Sequence, residues 1–232
     1  MRKSVTARLF ALFSFLTLEL LLIGGVFVVS LLLFFYLTRE VFVARSVQFD
    51  NWGFQHMDQL RAAQPWLTSV AKFITFFASF PFLVAAGILA PILLRWWGRK
   101  REALELFLAV AGASLFNQLL KTHYHRTRPS SALFFQQGLS FPSGHAMIGM
   151  ALYGCLAWLL WRHRHHPAWA VLLVLWAVVI GLTRVYLHVH YPTDVLAGFA
   201  AGVLWLILLR TALRLWWREE VKIVEAEKGV RG

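Results

Sequence analysis

The chain alternates long apolar runs with short polar turns. The first run covers residues 10–37 and is interrupted only by Glu19; five more follow at about 70–94, 103–120, 144–161, 168–189 and 195–217. A bilayer core about 30 Å thick needs about 20 apolar residues per helix, so each run is a candidate membrane span. The first run also exceeds the apolar core of about 7 to 15 residues in a signal peptide, which predicts an uncleaved span. The pattern predicts an all-α integral membrane bundle of six transmembrane helices in a single domain.

Three features interrupt this pattern. Segment 38–69 mixes charged and aromatic residues, which is typical of a segment lying on the membrane surface. Pro81 and Pro91 fall inside the second run, where they are expected to kink the helix. Residues 218–232 form a short tail of mixed charge, which we predict to be cytoplasmic.

Composition excludes an ordinary soluble domain. Hydrophobic residues make up 59% of the 232 residues and charged residues 15%, whereas soluble proteins average about 45–50% and about 25%. The formal charge of +12 would suggest nucleic acid in a soluble protein, but in a membrane protein Lys and Arg report orientation first. We therefore expect the bilayer, and no nucleic acid, as a partner. Cys155 is the one cysteine, which excludes disulfides within the chain and metal sites built from cysteine.

Lys and Arg are unevenly divided between the two sides of this layout. The N-terminus, the second and fourth turns and the tail from Arg210 hold 3, 4, 2 and 6 of them, against 8 on the other side. Because cytoplasmic loops are enriched in Lys and Arg, we predict a multi-pass protein of the cell (inner) membrane with both termini in the cytoplasm. The third and fifth loops then lie on the outer face, at the membrane-water interface.

Three clusters of polar residues meet on that outer face. Lys121 ends the third span and is followed, after six residues, by Arg128 and Pro129. The second cluster opens the fourth span and reads Phe141-Pro142-Ser143-Gly144-His145. The third consists of Thr183 and Arg184, then His190 after five further residues, then Asp194 at the start of the sixth span. Ionisable residues near a membrane are costly, so they usually have a function.

In their order, spacing and predicted side, these clusters resemble the three motifs of the type 2 phosphatidic acid phosphatase superfamily. These lipid phosphate phosphatases also include the soluble vanadium haloperoxidases, which the apolar spans exclude here. The resemblance covers roughly residues 70–209. Thr183 departs from the pattern, because the family more often has Ser before the Arg, but a hydroxyl is kept. The resemblance implies a membrane phosphatase of the kind that acts on phosphatidylglycerol phosphate or undecaprenyl pyrophosphate.

The residue types also suit phosphoryl transfer on chemical grounds. That reaction needs an in-line nucleophile, an acid for the leaving oxygen and positive charge around the phosphoryl oxygens. Lys121, Arg128 and Arg184 are cations, and Arg can bind two phosphate oxygens at once. Ser143 and Gly144 lie where a helix begins, so free backbone N–H groups would face an anion. We predict that these five residues bind phosphate.

Two histidines and a carboxylate complete the predicted chemistry. His190 is the candidate nucleophile, because a neutral imidazole can attack phosphorus and form a phosphohistidine. Asp194 would hold the other ring nitrogen and stabilise the developing imidazolium. Since Pro192 disfavours helix at Tyr191, His190 and Asp194 are expected to face each other across a turn. His145 would protonate the leaving alkoxide and later activate water. The resemblance implies the same roles.

Several residues keep a plainer interpretation. Lys121 alone could extend its charge to the interface from a helix end, and Ser143 or Thr193 alone could cap a helix. His188 lies four residues beyond Arg184 and is a rival to His190, although we expect a supporting or interfacial role. His123, His125 and Arg126 lie inside the first cluster and could contact the lipid headgroup, but we expect them in a solvated loop.

Two further features have no assigned chemistry. We interpret His163, His165 and His166 as a basic cytoplasmic turn rather than a metal site, because they lie on the opposite face without a carboxylate or cysteine. Glu19 is an intramembrane carboxyl, which is a functional candidate by default but could also be protonated against a neighbouring helix.

Three functions compete on this evidence. The first is a metal-independent lipid phosphate phosphatase with no cofactor, acting on phosphatidic acid, phosphatidylglycerol phosphate and polyprenyl pyrophosphate, the last being preferred. The second is a lipid phosphotransferase in which an alcohol or lipid replaces water at the same site. The third, an anion transporter, is disfavoured because the sequence has no internal repeat and its charges lie near span ends. The oligomeric state is left open.

Overall fold

The computed structural model is a bundle of α-helices. It describes the backbone of residues 5–163 and 167–230, and the side chains of residues 18, 20–163 and 167–217; this part of the chain contains no strand. The helices, in chain order, are α1 (Val5–Phe42), α2 (Gln48–Ala63), α3 (Leu67–Phe76), α4 (Phe80–Trp96), α5 (Lys100–Tyr124), α6 (Gly144–Arg162), α7 (Pro167–Tyr186) and α8 (Pro192–Val230).

Six segments are long and apolar enough to cross a membrane. They are Leu20–Phe42, Leu67–Trp96, Lys100–Tyr124, Gly144–Arg162, Pro167–Tyr186 and Pro192–Trp217. Large apolar side chains such as Leu21, Val29 and Phe73 are exposed along them. Such exposure is expected where a helix faces lipid, because the lipid tails are themselves apolar. The predicted all-α, six-helix membrane fold is confirmed.

The second candidate span is broken near its start. α3 ends at Phe76 and α4 begins at Phe80, so the break immediately precedes Pro81 in the first turn of α4. A proline fits there because its missing N–H would have no helical partner. The backbone carbonyl of Phe77 accepts a hydrogen bond of 2.7 Å from the Tyr153 hydroxyl of α6, which satisfies an acceptor freed by the break. Pro91 lies inside α4 without ending it.

Segment 38–69 divides among three helices. α1 continues to Phe42, α2 is a separate helix of 16 residues, and α3 begins at Leu67. The buried residues of α2 are Asp50 and Gly53. The segment therefore contains a helix that packs against the bundle through Asp50 and Gly53, in addition to the exposed residues expected of a segment on the membrane surface.

α6 lies at the centre of the bundle, in contact with α4, α5, α7 and α8. Two glycines of α8 lie against its backbone. A Cβ atom placed on Gly198 would lie 2.7 Å from the carbonyl oxygen of Ser143, and one on Gly202 would lie 2.7 Å from that of Met147. Small residues let two membrane helices approach closely. α6 and α8 therefore begin side by side at the same end of the bundle.

Candidate active site

The three sequence clusters converge where α5 ends and α6 and α8 begin. A cavity of about 510 Å³ lies there. The predicted site residues that line it are Lys121, Arg128, Gly144, His145 and His190. The other three are buried beside the cavity rather than on its wall; they are Ser143, Arg184 and Asp194. All eight predicted residues thus lie in or next to one cavity.

His190 lies in the turn between α7 and α8, and Asp194 follows in the first turn of α8. The Nε2 atom of His190 is 3.0 Å from an Nη1 of Arg128. Because a guanidinium only donates, Nε2 is the acceptor and the proton lies on Nδ1. Nδ1 is 3.3 Å from the Ser140 hydroxyl and 3.4 Å from Oδ2 of Asp194. The two ring nitrogens therefore have different surroundings: cationic at Nε2, and a hydroxyl and a carboxylate at Nδ1.

Burial and positive charge keep the His190 ring neutral. Its side chain is 1% exposed, and desolvation lowers its pKa well below the ordinary value of a histidine, with further lowering from Arg128, Arg184 and Lys121. Burial also lowers the pKa of Arg128, which Asp194 partly opposes. A neutral imidazole that is protonated on Nδ1 has its ring lone pair on Nε2, and this is the form that can act as a nucleophile.

Asp194 is held on both oxygens. Oδ2 accepts hydrogen bonds from the Ser140 hydroxyl at 2.5 Å and from the backbone N–H of Tyr191 at 3.0 Å. Oδ1 accepts one from Arg126 at 2.6 Å. Because the Ser140 oxygen also lies 3.3 Å from Nδ1 of His190, it links the imidazole to the carboxylate. Ser140 and Arg126 are site residues that the sequence analysis did not assign.

The expectation that Arg126 lies in a solvated loop is wrong. Its side chain is 13% exposed and forms ion pairs with Asp50 and Asp194. Burial by itself would lower the pKa of Arg126, but the two carboxylates outweigh it and the pKa is raised. A buried cation needs a carboxylate partner, and Asp50 is one of the two that Arg126 has. Neither the burial of Arg126 nor its contact with Asp50 is visible from sequence spacing.

The three cationic candidates for phosphate binding, Lys121, Arg128 and Arg184, donate hydrogen bonds to oxygen atoms of the protein itself. Lys121 donates to the backbone carbonyl of Leu139, and Arg128 donates to that of Gly138 at 3.0 Å. Arg184 donates to the hydroxyl of Thr75 at 2.7 Å and to the side chain of Gln136. Its Nε atom is buried and has no hydrogen-bond partner within the described part of the chain. Segment 136–140 therefore supplies acceptors to all three cations.

The start of α6 lies beside the same cavity, and Gly144 and His145 line it. The backbone N–H of Ser143 donates to the carbonyl of Asp194 at 2.9 Å, while its hydroxyl is buried without a partner among the described residues. Ser143 precedes the helix but its side chain makes no capping hydrogen bond, so the capping interpretation is not supported. A Cβ on Gly144 would lie 3.1 Å from Oδ1 of Asn117, which leaves little room for a larger residue. His145 follows on the cavity wall.

His188 is placed away from the cavity. Its Nδ1 is 2.9 Å from the Ser131 hydroxyl, its Nε2 is 3.1 Å from Oδ1 of Asp58, and its ring stacks on Phe54 at 4.2 Å. Burial lowers the pKa of His188, partly opposed by Asp58. The structure thus gives His188 a supporting position and leaves His190 as the histidine of the third cluster that faces the cavity.

The other described residues considered in the sequence lie outside the cavity. His123 and His125 are exposed at the end of α5, and Thr193 is bound by Asp50 rather than capping its own helix. At the other end of the bundle, His163 pairs with Glu102 at 2.6 Å. His165, His166 and the side chain of Glu19 lie outside the described residues. No group of three or more His, Cys, Asp or Glu suited to a metal occurs within the part of the chain that the structure describes.

Fold and site together define an all-α membrane protein whose cavity carries cations and two histidines suited to a phosphate group. A model of the PAP2 superfamily matches residues 102–218. Phosphatidylglycerophosphatase B of Bacillus subtilis (strain 168) is 31% identical over 188 residues, which cover 78% of this chain and 92% of the relative. The chain therefore belongs to the PAP2 superfamily.

Two further comparisons agree with this assignment. The lipid A 1-phosphatase of Rhizobium johnstonii (strain DSM 114642 / LMG 32736 / 3841) is 33% identical over 160 residues, covering 62% of this chain and 60% of the relative. The crystal structure of a transmembrane PAP2-type phosphatidylglycerolphosphate phosphatase from Bacillus subtilis superposes with a TM-score of 0.73 and 29% identity, covering 80% of this chain and 94% of that structure. The predicted resemblance to this family is confirmed.

Proposed function

We propose that this protein is a membrane lipid phosphatase in which His190 is the nucleophile and a phosphohistidine is the intermediate. The observation that carries the proposal is the arrangement at His190. Its neutral ring presents Nε2 to a cavity bordered by cations, and its Nδ1 faces Ser140 and Asp194. Nucleophile, orienting carboxylate and positive charge are the parts that phosphoryl transfer requires.

The first half-reaction begins when a phosphate group enters the cavity. Its oxygens attract Arg128, which frees the lone pair of Nε2 that this guanidinium now contacts. Nε2 attacks phosphorus, and the bond between phosphorus and the lipid oxygen breaks. His145, in its protonated form, gives its proton to the leaving oxygen. The positive charge that develops on the His190 ring is stabilised through Nδ1–H by Ser140 and Asp194.

The second half-reaction reverses these roles. The now neutral His145 removes a proton from a water molecule, whose oxygen attacks phosphorus. The bond between phosphorus and Nε2 breaks, so that inorganic phosphate leaves and His190 returns to its neutral form. His145 ends this step protonated and ready for the next substrate.

Protein donors would hold the phosphoryl oxygens throughout. Lys121, Arg128 and Arg184 supply charge. The Ser143 hydroxyl and Arg184 Nε, which are buried without a partner among the described residues, are donors whose desolvation cost a phosphate would offset. We therefore expect catalysis without a metal ion or cofactor, because the cations take the place that Mg²⁺ has in metal-dependent phosphoryl transfer.

The apolar side of the cavity supports a lipid substrate. Phe80, Leu83 and Ile148 line it, and the same three residues also line an adjoining apolar cavity of about 170 Å³ between α4 and α5. A lipid whose phosphate lies at His190 would find a hydrocarbon-lined path for its tail there. The charged and histidine side chains of the wall, Lys121, Arg128, His145 and His190, are assigned to the phosphate rather than to a headgroup. We therefore propose broad specificity across phosphatidic acid, phosphatidylglycerol phosphate and polyprenyl pyrophosphate.

Phosphate release by the purified protein tests the function. We expect turnover of all three lipids in mixed micelles by the wild-type protein, and no turnover by His190→Ala. His123→Ala is the matched control, because it removes an exposed histidine at the same end of the bundle. Retained wild-type rates in His190→Ala, with loss in His188→Ala, would show that the nucleophile is misassigned. Activity on one monophosphate alone would refute the broad specificity and the preference for polyprenyl pyrophosphate.

We further propose that the termini are cytoplasmic and that the cavity faces the outside of the cell membrane, as the division of Lys and Arg indicates. The test replaces Cys155 by Ala and introduces single cysteines at exposed positions of the two ends, Gln137 and Lys100. An impermeant thiol reagent should label Gln137→Cys and not Lys100→Cys in intact cells. The reverse labelling would place the site in the cytoplasm.

A further inference from the structure

A carboxylate of α2 holds the first turn of α8, although it belongs to none of the three sequence clusters. Asp50 is 1% exposed, and its Oδ1 accepts hydrogen bonds of 2.9 Å from both the backbone N–H and the hydroxyl of Thr193. That N–H is one of the first-turn donors that a helix leaves without an internal partner. Asp50 therefore caps the N-terminus of α8 from another helix, whereas the usual capping side chain directly precedes the helix that it caps.

Arg126 connects this carboxylate to the one beside His190. One terminal nitrogen is 2.6 Å from Oδ2 of Asp50, and the other is 2.6 Å from Oδ1 of Asp194. The side chains of Asp50 and Asp194 are 1% and 0% exposed, so the three charges form one buried network. Because Arg126 is shared between two carboxylates, it contacts Asp194 through Oδ1 alone. Oδ2 of Asp194 then faces the Ser140 hydroxyl and Nδ1 of His190.

The backbone of α2 is packed directly against the turn that carries His190. A Cβ on Gly53 would lie 2.5 Å from Cγ of Pro192, so only glycine permits this approach. One residue later, Phe54 stacks on His188 at 4.2 Å. These contacts lie on both sides of His190 in the sequence, and they fix the position of Asp50 relative to the turn.

We propose that Asp50 is a positioning residue for the reaction at His190, acting through Arg126 on the orientation of Asp194. The inference rests on the proposed function. Asp50 does not line the cavity and has no contact with a substrate there. Without its charge, Arg126 is free to bind both oxygens of Asp194 in the bidentate geometry that guanidinium and carboxylate favour. Oδ2 would then be drawn away from Ser140 and Nδ1 when the imidazolium must be stabilised.

The test compares Asp50→Asn with Asp58→Asn in the full-length protein in detergent. Both variants remove one carboxylate from α2. Asp58 also contacts the α7–α8 turn, through His188, but no contact among the described residues joins it to Asp194. We expect kcat of Asp50→Asn to fall about 30-fold, as for a misplaced catalytic group, with KM changed less than about threefold because substrate contacts remain. Asp58→Asn should keep a kcat close to wild type. A wild-type kcat in Asp50→Asn, or an equal loss in both variants, would overturn the proposal.

Coupling between Asp50 and Arg126 separates positioning from a general loss of stability. If Asp50 acts through Arg126, the double variant Asp50→Asn/Arg126→Met should lose no more kcat than Arg126→Met alone, because the second change removes an interaction already lost. Losses that multiply would overturn the proposal. Arg126→Lys keeps the charge but cannot bridge two carboxylates, and it should also lower kcat about 10-fold or more. A wild-type kcat in Arg126→Lys would overturn the proposal even if Asp50→Asn failed to fold.

The proposed function fails in a different way. If the wild-type protein releases no phosphate from lipid phosphates, or if His190→Ala stays active, the reaction itself is misassigned. If the wild type is active, His190→Ala is inactive and Asp50→Asn behaves like Asp58→Asn, only the role of Asp50 is wrong.

Discussion

The close contact between α6 and α8 makes Gly198→Ala a sharp test of how the fold positions the site. The new Cβ atom would lie 2.7 Å from the carbonyl oxygen of Ser143, 2.9 Å from Cβ of Ala146 and 3.2 Å from the amide nitrogen of Met147. Two of these neighbours are backbone atoms, which cannot rotate away. The helices must separate, and their first turns carry Ser143 and Asp194.

The expected size of the effect follows from these distances. Ordinary contact begins near 3.4 Å, so the closest approach is too short by about 0.7 Å. Overpacking of this kind costs about 1–3 kcal/mol, and replacing a helical glycine by alanine gains about 1 kcal/mol. The net loss of about 1 kcal/mol corresponds to a fall in Tm of roughly 2–4 °C. Since a displacement of 1 Å at a site can cost about 100-fold, we expect kcat/KM to fall about 10-fold.

Thermal unfolding in detergent and phosphate release from a lipid phosphate measure the two effects. Gly24→Ala is the control, because it makes the same change on α1, where no atom of the described residues lies within 4 Å of the new Cβ. That variant should keep wild-type activity with an equal or higher Tm. If Gly198→Ala showed wild-type kcat/KM and an unchanged Tm, the close α6–α8 packing would not control the geometry of the site.

Three further outcomes test the chemistry. Arg128→Met should raise the pH below which kcat/KM falls, because Arg128 helps lower the pKa of His190 and the nucleophile is inactive once its ring is protonated. Arg128→Lys keeps the positive charge and should leave that pH unchanged. His145→Ala should lower kcat by about 100-fold or more through loss of the acid and base, while His123→Ala should not. EDTA should leave activity unchanged and vanadate, which imitates five-coordinate phosphorus, should inhibit it; activity lost in EDTA and restored by Mg²⁺ would refute the metal-independent mechanism.

The sequence predicted those parts of the molecule that depend on local pattern. Apolar runs of about 20 residues predict membrane-spanning helices. Because His145, Arg184 and His190 lie beside the ends of these runs, the sequence also placed them at one end of the bundle. The sequence also located Pro81, but the structure was needed to show that the break precedes it and that Tyr153 binds the freed carbonyl.

Long-range charge pairing could not be predicted in the same way. Asp50 is 143 residues from Thr193, and it lies in a segment whose mixed charge is equally typical of a membrane surface. Arg126 has the composition of a loop residue, and its burial becomes evident only when Asp50 and Asp194 approach it from two helices. Ser140 lies in the polar loop, where nothing in its neighbours distinguishes a residue that contacts His190 from one that contacts water.

Charge balance at this end of the bundle connects the positioning network to the choice of substrate. The site holds four cations, Lys121, Arg126, Arg128 and Arg184, and two buried carboxylates, Asp50 and Asp194. Both carboxylates pair with Arg126, and these three residues together carry a charge of −1. The three cations that border or adjoin the cavity carry +3, which leaves an excess of +2. A phosphate monoester carries a charge of about −2 near neutral pH, which nearly balances the excess. In the proposed mechanism, Asp194 orients His190 and the three cations bind the phosphate. Pairing of Asp194 with Arg126 would then keep the two functions apart, so that one small site could attract an anion and also stabilise a cationic imidazole.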